Sequence, residues 1–305
     1  MSKTKRKSHR KLWLVAVGFV LLVAAAVVWQ TFPPATWGDA PNVRVDGTLT
    51  VRFLDVGQGD CALITNGDRA VLIDAGTVEQ PRLIYELLSA YGVTQLDAVF
   101  VSHPHADHIG GLSTVLRKCT VGAVYLMPPP KELAVTDAFY TDALAAMEER
   151  RVLWVKPQVD ESYSYCGATF TAIGPLAPTA GDLNDLSLCL RVEYDKTAFL
   201  FCGDMTDAEE KTLLQRDDGL SADVLKVAHH GSGGSSSRRF LEAVSPQIAV
   251  ISCDRYNDYG HPDADTLTSL SEVGATVYRT DTQGTVTVTT DGKRVAVVTE
   301  KQKKT

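Results

Sequence analysis

Six of the seven histidines fall in three short segments beside glycine or proline: His103, His105 and His108; His229 and His230; and His261. Core histidines scatter, and this clustering points to metal binding. The first segment, Ser102-His-Pro-His-Ala-Asp-His-Ile-Gly-Gly111, holds four ligand-type side chains within six residues. In an extended turn alternate residues point the same way, so His103 and His105 can share one ion. Asp107 and His108 then turn toward a second. Imidazole with carboxylate suits zinc or a neighbouring first-row metal. A capped loop whose histidines only bond backbone groups does not account for four ligand types at this density.

Regular elements must deliver that segment. An apolar strand is predicted over 97–102, and a short helix over 112–118 follows. Further strands are expected over 48–55, 61–65, 70–73, 123–126, 153–155, 187–194, 197–201, 223–228, 248–252, 276–278, 285–289 and 295–299. Helices are expected over 81–91, 137–150, 207–216, 238–244 and 265–273. Pro81 and Gly92 punctuate the first of these. Hairpin-like pairs at both ends of the chain argue against pure βαβ winding. Two mixed sheets packed together with helices outside is the architecture that fits.

The motif His103-x-His105-x-Asp107-His108, followed by Gly110-Gly111, resembles the signature of the metallo-β-lactamase-fold hydrolases. Five more segments agree, in order: Phe53-Leu-Asp-Val-Gly-Gln-Gly-Asp60, Val71-Leu-Ile-Asp-Ala-Gly76, Phe201-Cys-Gly-Asp-Met205, Asp223-Val-Leu-Lys-Val-Ala-His-His-Gly-Ser232 and Gly260-His-Pro262. Together they resemble the hydrolase domain of ComEC/Rec2-type competence proteins and its stand-alone relatives, over about residues 48–290. The resemblance implies an α+β fold, a four-layer αββα sandwich with a two-metal site at one edge. It places His103 and His105 on one ion, Asp107 and His108 on the other, Asp204 as the carboxylate bridging both, and His229 as the last ligand of the second. Asp74 would support the histidine loop from behind, with Asp60 near the pocket. Many members use a third histidine on the first ion, but residues 109–228 contain none. Asn184 or Asp185 falls where competence-type members carry an Asn-rich stretch, with Asn184 expected at the substrate. The first site should therefore bind metal more weakly. The ions are expected to be two divalent cations, zinc first and manganese second.

The run His229-His-Gly-Ser-Gly-Gly-Ser-Ser-Ser237 precedes a helix near Arg238. Its backbone amides, among them those of Gly231 and Ser232, and the helix's positive end would meet an anion. His230 and His261 are the expected proton carriers or phosphate contacts. With Asp107 they make the expected catalytic set.

Charge is distributed unevenly. The chain has 305 residues with 30 Lys+Arg and 37 Asp+Glu, a net −7. Residues 1–11 hold six basic residues and no acid, leaving 24 basic against 37 acidic residues, or −13, for the rest. Such a body argues against tight non-specific nucleic-acid binding. From Leu12 to Trp29 run 18 residues without a charge, long enough for a bilayer helix. The expected organisation is a cytoplasmic basic tail (1–11), a transmembrane anchor (12–30), a linker (31–46), the hydrolase domain (47–300) and a basic tail (301–305). The positive flank should stay inside, placing the domain outside the cytoplasm. Cleavage as a signal peptide would instead release it. No Cys-x-x-Cys pair occurs among the six cysteines.

The function this implies is a membrane-anchored, extracytoplasmic binuclear metallohydrolase, a phosphodiesterase or nuclease whose substrate could be DNA. Two alternatives stand beside it. One is a phosphocholine esterase, or another ester hydrolase, acting on envelope polymers. The other is a non-catalytic DNA-binding module of an uptake machine, which an intact six-ligand set argues against. No protein partner is legible.

Overall fold

Alternating buried and half-buried side chains along Leu49–Phe53 (β1) mark a strand with one sealed face. The computed structural model describes residues 47–176, 181–216 and 219–301. In chain order the strands are β1, β2 (Ala62–Asn66), β3 (Arg69–Ile73), β4 (Gln95–Val101), β5 (Thr120–Leu126), β6 (Leu153–Val155), β7 (Ser162–Tyr165) and β8 (Ala168–Gly174). There follow β9 (Cys189–Tyr194), β10 (Thr197–Phe201), β11 (Val224–Lys226), β12 (Ile248–Ile251), β13 (Thr276–Arg279), β14 (Val286–Thr290) and β15 (Val295–Thr299). They form two sheets, ordered β15-β14-β1-β2-β3-β4-β5-β6 and β13-β12-β11-β10-β9-β8-β7. Within each, a parallel half (β3 to β6; β10 to β13) adjoins an antiparallel half.

The inner faces make the central core. Phe53, Ile64, Val71 and Phe100 of the first sheet meet Phe170, Leu190, Phe199 and Val250 of the second. The Phe100 and Phe170 rings stack at 5.3 Å. Burial of each such side chain stabilises by about 1.5–3 kcal/mol. On the outer face of the first sheet, Ile84 and Leu88 of helix Pro81–Ala90, Val115 of Leu112–Lys118, and Ala143 and Met147 of Ala138–Arg150 cover Leu63, Leu72 and Val124. On the second, Leu213, Phe240 and Leu270, from helices Asp207–Leu213, Arg238–Val244 and Ala264–Glu272, cover Leu200, Leu225 and Ile251. The expected four-layer αββα sandwich is therefore present.

Strands β7 and β8 escaped sequence reading. Their inward Tyr163, Tyr165, Phe170 and Ala172 alternate with Ser and Thr, which dilute the apolar signal. The expected basic tail 1–11, anchor 12–30 and linker 31–46 lie outside the described residues, as do residues 302–305. No helix among the described residues is long and apolar enough to cross a membrane.

The parallel strands bring five chain ends to one edge. Ile73 pairs with Phe100, and Phe201 with Lys226, which in turn pairs with Val250. Asp74, Ser102, Gly203-Asp204, Val227 and Ser252 consequently leave neighbouring strands side by side.

Candidate metal centre

The histidine segment is anchored before it turns. Ser102 donates its N–H to Asp74 Oδ1 (2.7 Å) and its hydroxyl to Asp74 Oδ2 (2.9 Å). His105 is extended (φ −80°, ψ 156°) at the start of the one-turn helix Ala106–Ile109. That turn places Asp107 and His108 on the same side. Asp60 N–H holds the loop by donating to the Asp107 carbonyl at 3.1 Å. Gly59 is required there, because a Cβ would stand 2.5 Å from that carbonyl oxygen. Gly203 (φ +52°) lets the Asp204 turn close over Ser102, whose Cβ would be 2.7 Å from an added methyl.

Four ligand atoms, from Asp107, His108, Asp204 and His230, all lie within 4.8 Å of one another. His108 Nε2 is 3.2 Å from Asp204 Oδ1 and 3.9 Å from Asp107 Oδ2. His230 Nε2 is 3.3 Å from Asp107 Oδ2 and 3.5 Å from Asp204 Oδ2. Beside them His103 Nε2 faces His105 Nδ1 at 2.9 Å. His229 Nε2 lies 3.7 Å from Asp204 Oδ2, but its side chain is 28% exposed, against 2% for His230. The structure thus brings His230 into the cluster where sequence reasoning expected His229. Both residues are left-handed (φ 49° and 53°), and this kink turns the second ring inward.

The opposite ring nitrogens fix these orientations. His108 Nδ1 donates to Asp74 Oδ2 at 3.0 Å, and His230 Nδ1 donates to the Ser252 carbonyl at 2.9 Å. Asp74 therefore stands where the sequence put it, behind the histidine loop. Burial, then the neighbouring His108, hold His103 well below its ordinary pKa. Burial would lower His108 too, yet Asp204, Asp107 and Asp74 raise it well above its usual range. Against burial, Asp204 and Asp60 push His230 up to about 10. Burial opposes the ionisation of Asp204, but His108 and His230 hold its carboxyl well below the carboxylate range. In the metal-free fold the two carboxylates and the two imidazoles thus balance one another's charge.

The donors suit a metal. His108 Nε2, Asp204 Oδ1 and His230 Nε2 are buried with no hydrogen bond, which is costly for polar atoms left unpaired. A tetrahedral ion with ligands at about 2.0–2.2 Å separates them by about 3.3–3.6 Å; the 3.2, 3.3 and 3.5 Å spacings fall at or beside that range, and His108–Asp107 at 3.9 Å is wider. Imidazole and carboxylate without thiolate suit zinc, iron or manganese.

The cluster opens to a cleft of about 300 Å³ lined by His105, Asp107, Asn184, His229, His230 and His261, among others. Asn184 presents a buried Oδ1 without a partner. The His261 ring stacks on Tyr259 (5.5 Å) and lies 5.7 Å from His229. Burial, then His229 and His230, lower its pKa. Gly231 and Ser232, expected at the substrate, do not line this cleft. Gly231 packs under Pro262, and Ser232 N–H donates to the His229 carbonyl at 2.8 Å. The amino end of helix Arg238–Val244 is also closed from within the fold. Ser236 and Ser237 donate their N–H groups to Glu210, while Arg238 pairs with Glu242 and Glu272.

Sequence reasoning assigned no role to Lys226, Ser187 or Ser252. Ser187 Oγ accepts from the Asp204 backbone N–H at 3.0 Å and so anchors that turn. Lys226 pairs with Asp60 Oδ2 at 2.7 Å, both buried. A lone charge inside the apolar run Val224-Leu-Lys-Val-Ala228 was the available signal.

The αββα sandwich thus gathers imidazoles and carboxylates at one strand-end edge. The chain belongs to the metallo-β-lactamase superfamily, whose family model matches residues 54–254. Its homologues include competence proteins. It is 30% identical over 260 residues to ComE operon protein 3 of Bacillus subtilis, covering 77% of this chain and 32% of that protein. It is 32% identical over 246 residues to competence protein ComA of Neisseria gonorrhoeae, covering 80% and 33%. The chain spans about a third of the length of these relatives. Among solved structures, Igni18, a metallo hydrolase of Ignicoccus hospitalis, shares the fold with a TM-score of 0.51 at 13% identity, over 79% of this chain and 98% of that one.

Proposed function

We propose that this chain is a binuclear metal-dependent phosphodiesterase, held outside the cytoplasm by a membrane helix over residues 12–30. The convergence of Asp107, His108, Asp204 and His230 beside the His103–His105 pair carries the reading. His103 and His105 would hold one ion and Asp107, His108 and His230 the other, with Asp204 between the two sets. Such ions, when bound, supply Lewis acidity and water of lowered pKa.

The protein's own groups do the rest. Asp74 keeps the His108 proton on Nδ1, so Nε2 stays a ligand. The Ser252 carbonyl does the same for His230. His229 and His261 line the cleft without being needed by the cluster, and they are assigned to the leaving oxygen. Asn184 contacts the substrate's neighbouring polar atoms.

Kinship with competence proteins supports DNA as the polymer. A second reading, a phosphodiester bearing a cationic group such as phosphocholine, is favoured by the adjoining hollow. That hollow, of about 440 Å³, is lined by Glu79, Asp254, Asp258, Tyr256 and Tyr259, and a cation suits such aromatic and acidic walls. The test is the full-length chain in detergent, loaded with zinc or manganese. It is assayed in parallel on DNA, bis-p-nitrophenyl phosphate and p-nitrophenyl phosphorylcholine. Turnover no greater than that of Asp204→Asn on all three would overturn the proposal.

A further inference from the structure

A buried ion pair stands behind the metal cluster. Lys226 ends β11 with 3% of its surface exposed. Its Nζ lies 2.7 Å from Asp60 Oδ2 and donates to the Val227 carbonyl at 2.8 Å. A lysine so deep in an apolar strand is costly unless paired, and nothing in the proposed chemistry requires one there.

Asp60 touches both halves of the second ion's ligand set. Its backbone N–H holds the Asp107 carbonyl at 3.1 Å, and its own carbonyl accepts from Gly76 at 2.9 Å. Its side-chain Oδ1 lies 3.4 Å from His230 Nδ1, close enough to compete for the ring proton. That proton nonetheless goes to the Ser252 carbonyl at 2.9 Å. The other Asp60 oxygen is the one Lys226 grips. Asp60, Lys226 and Ser252 also share the wall of a small cavity of about 10 Å³ with Asp74 and Ser102. That is room for about one water molecule, and Asp60 Oδ1 and Ser252 Oγ are buried in the wall without hydrogen bonds.

We propose that Lys226 is a positioning residue for the metal centre. By gripping Asp60 Oδ2 it fixes Asp60 between the Asp107 loop and the back of the His230 ring. It thereby sets the angle at which those two ligands meet an ion. This rests on reading the cluster as a metal centre. It differs from the support of His108, where a carboxylate bonds the ring directly. Here the carboxylate is drawn aside and a neutral carbonyl takes the ring proton. Without the ammonium, Asp60 swings to His230 Nδ1, and its main chain pulls on Asp107.

The test uses the full-length chain in detergent micelles with Co²⁺ as the probe, read by its absorption spectrum and by chelator competition. Lys226→Met and Asp60→Asn should each weaken the tighter ion by about tenfold to a hundredfold and alter the Co²⁺ spectrum. The double variant should lose no more than the larger single loss, because the two residues act as one unit. Parent-like affinity and spectrum in Lys226→Met, or losses that add in the double variant, overturn the proposal. Melting of the metal-free proteins checks folding. Should Lys226→Met fail to fold, the comparison of Asp60→Asn with the double variant decides. Equal affinities support a role exerted through Asp60, and a further tenfold loss overturns it. A parent chain that takes up no Co²⁺ would refute the metal-centre reading itself, whereas parent binding with unaffected variants refutes only the role of Lys226.

Discussion

The Asp74 carboxylate accepts from His108 Nδ1 at 3.0 Å while also holding the N–H and hydroxyl of Ser102. One buried side chain thus sets both the ring orientation of a ligand and the exit angle of the strand that carries three others. Asp74→Asn keeps the size but offers an amide where an acceptor is needed. Metal affinity should fall by about tenfold to a hundredfold, read by chelator competition on folded protein. Unchanged affinity would mean that Asp74 serves only the turn.

His229 and His230 should separate cleanly. His230→Ala removes a cluster atom and should empty the second ion's site, lowering the metal stoichiometry measured by elemental analysis. His229→Ala should leave stoichiometry at the parent value and lower turnover by about tenfold or more. The reverse pattern would restore His229 as the ligand.

Asp204→Asn should leave the metal-free chain folded but with a lower melting temperature, since it leaves the buried His108 and His230 without the carboxylate that balances their charge. Hydrolysis of bis-p-nitrophenyl phosphate should fall by about a hundredfold or more, because the carboxylate facing both histidine groups is lost. Activity within about threefold of the parent would place the bridge elsewhere.

Metal binding should strengthen as pH rises. His230 is held at about 10 rather than 6.5 in the metal-free fold. Its proton therefore stabilises that form fully below 6.5, and the contribution is lost as pH climbs toward 10. An incoming ion must displace this proton. Calorimetry at about pH 6, 7 and 8 should show rising affinity with proton release; a flat profile would count against His230 as a ligand.

The proposed topology has its own check. Protease added to intact cells should remove the domain. Full protection in cells proven intact would refute an extracytoplasmic site.

Much of this was legible before any coordinates. The His103–His108 segment announces its ligands because metal chemistry needs particular atoms at particular spacing, and the apolar strand before it fixes where they emerge. Asp204 was legible only through resemblance, as nothing local marks Cys202-Gly-Asp as more than a turn. The choice between His229 and His230 was not legible. It depends on two consecutive left-handed residues, and neither is a glycine that would advertise them. The anion loop misled for a related reason: Ser236 and Ser237 look free in sequence, but their acceptor, Glu210, arrives from a helix 26 residues earlier. Strands β7 and β8 hid because Ser and Thr occupy their outward positions.

Glu210's hold on the Ser236 and Ser237 amides has a kinetic corollary. With that helix end closed and no lysine or arginine among the described residues lining the cleft, the ions would be the main charge available to grip an anionic polymer. Counterion release on binding is then confined to about one phosphate, and salt should barely change the Michaelis constant. Such an enzyme meets a long polyester one link at a time and lets go after each cut.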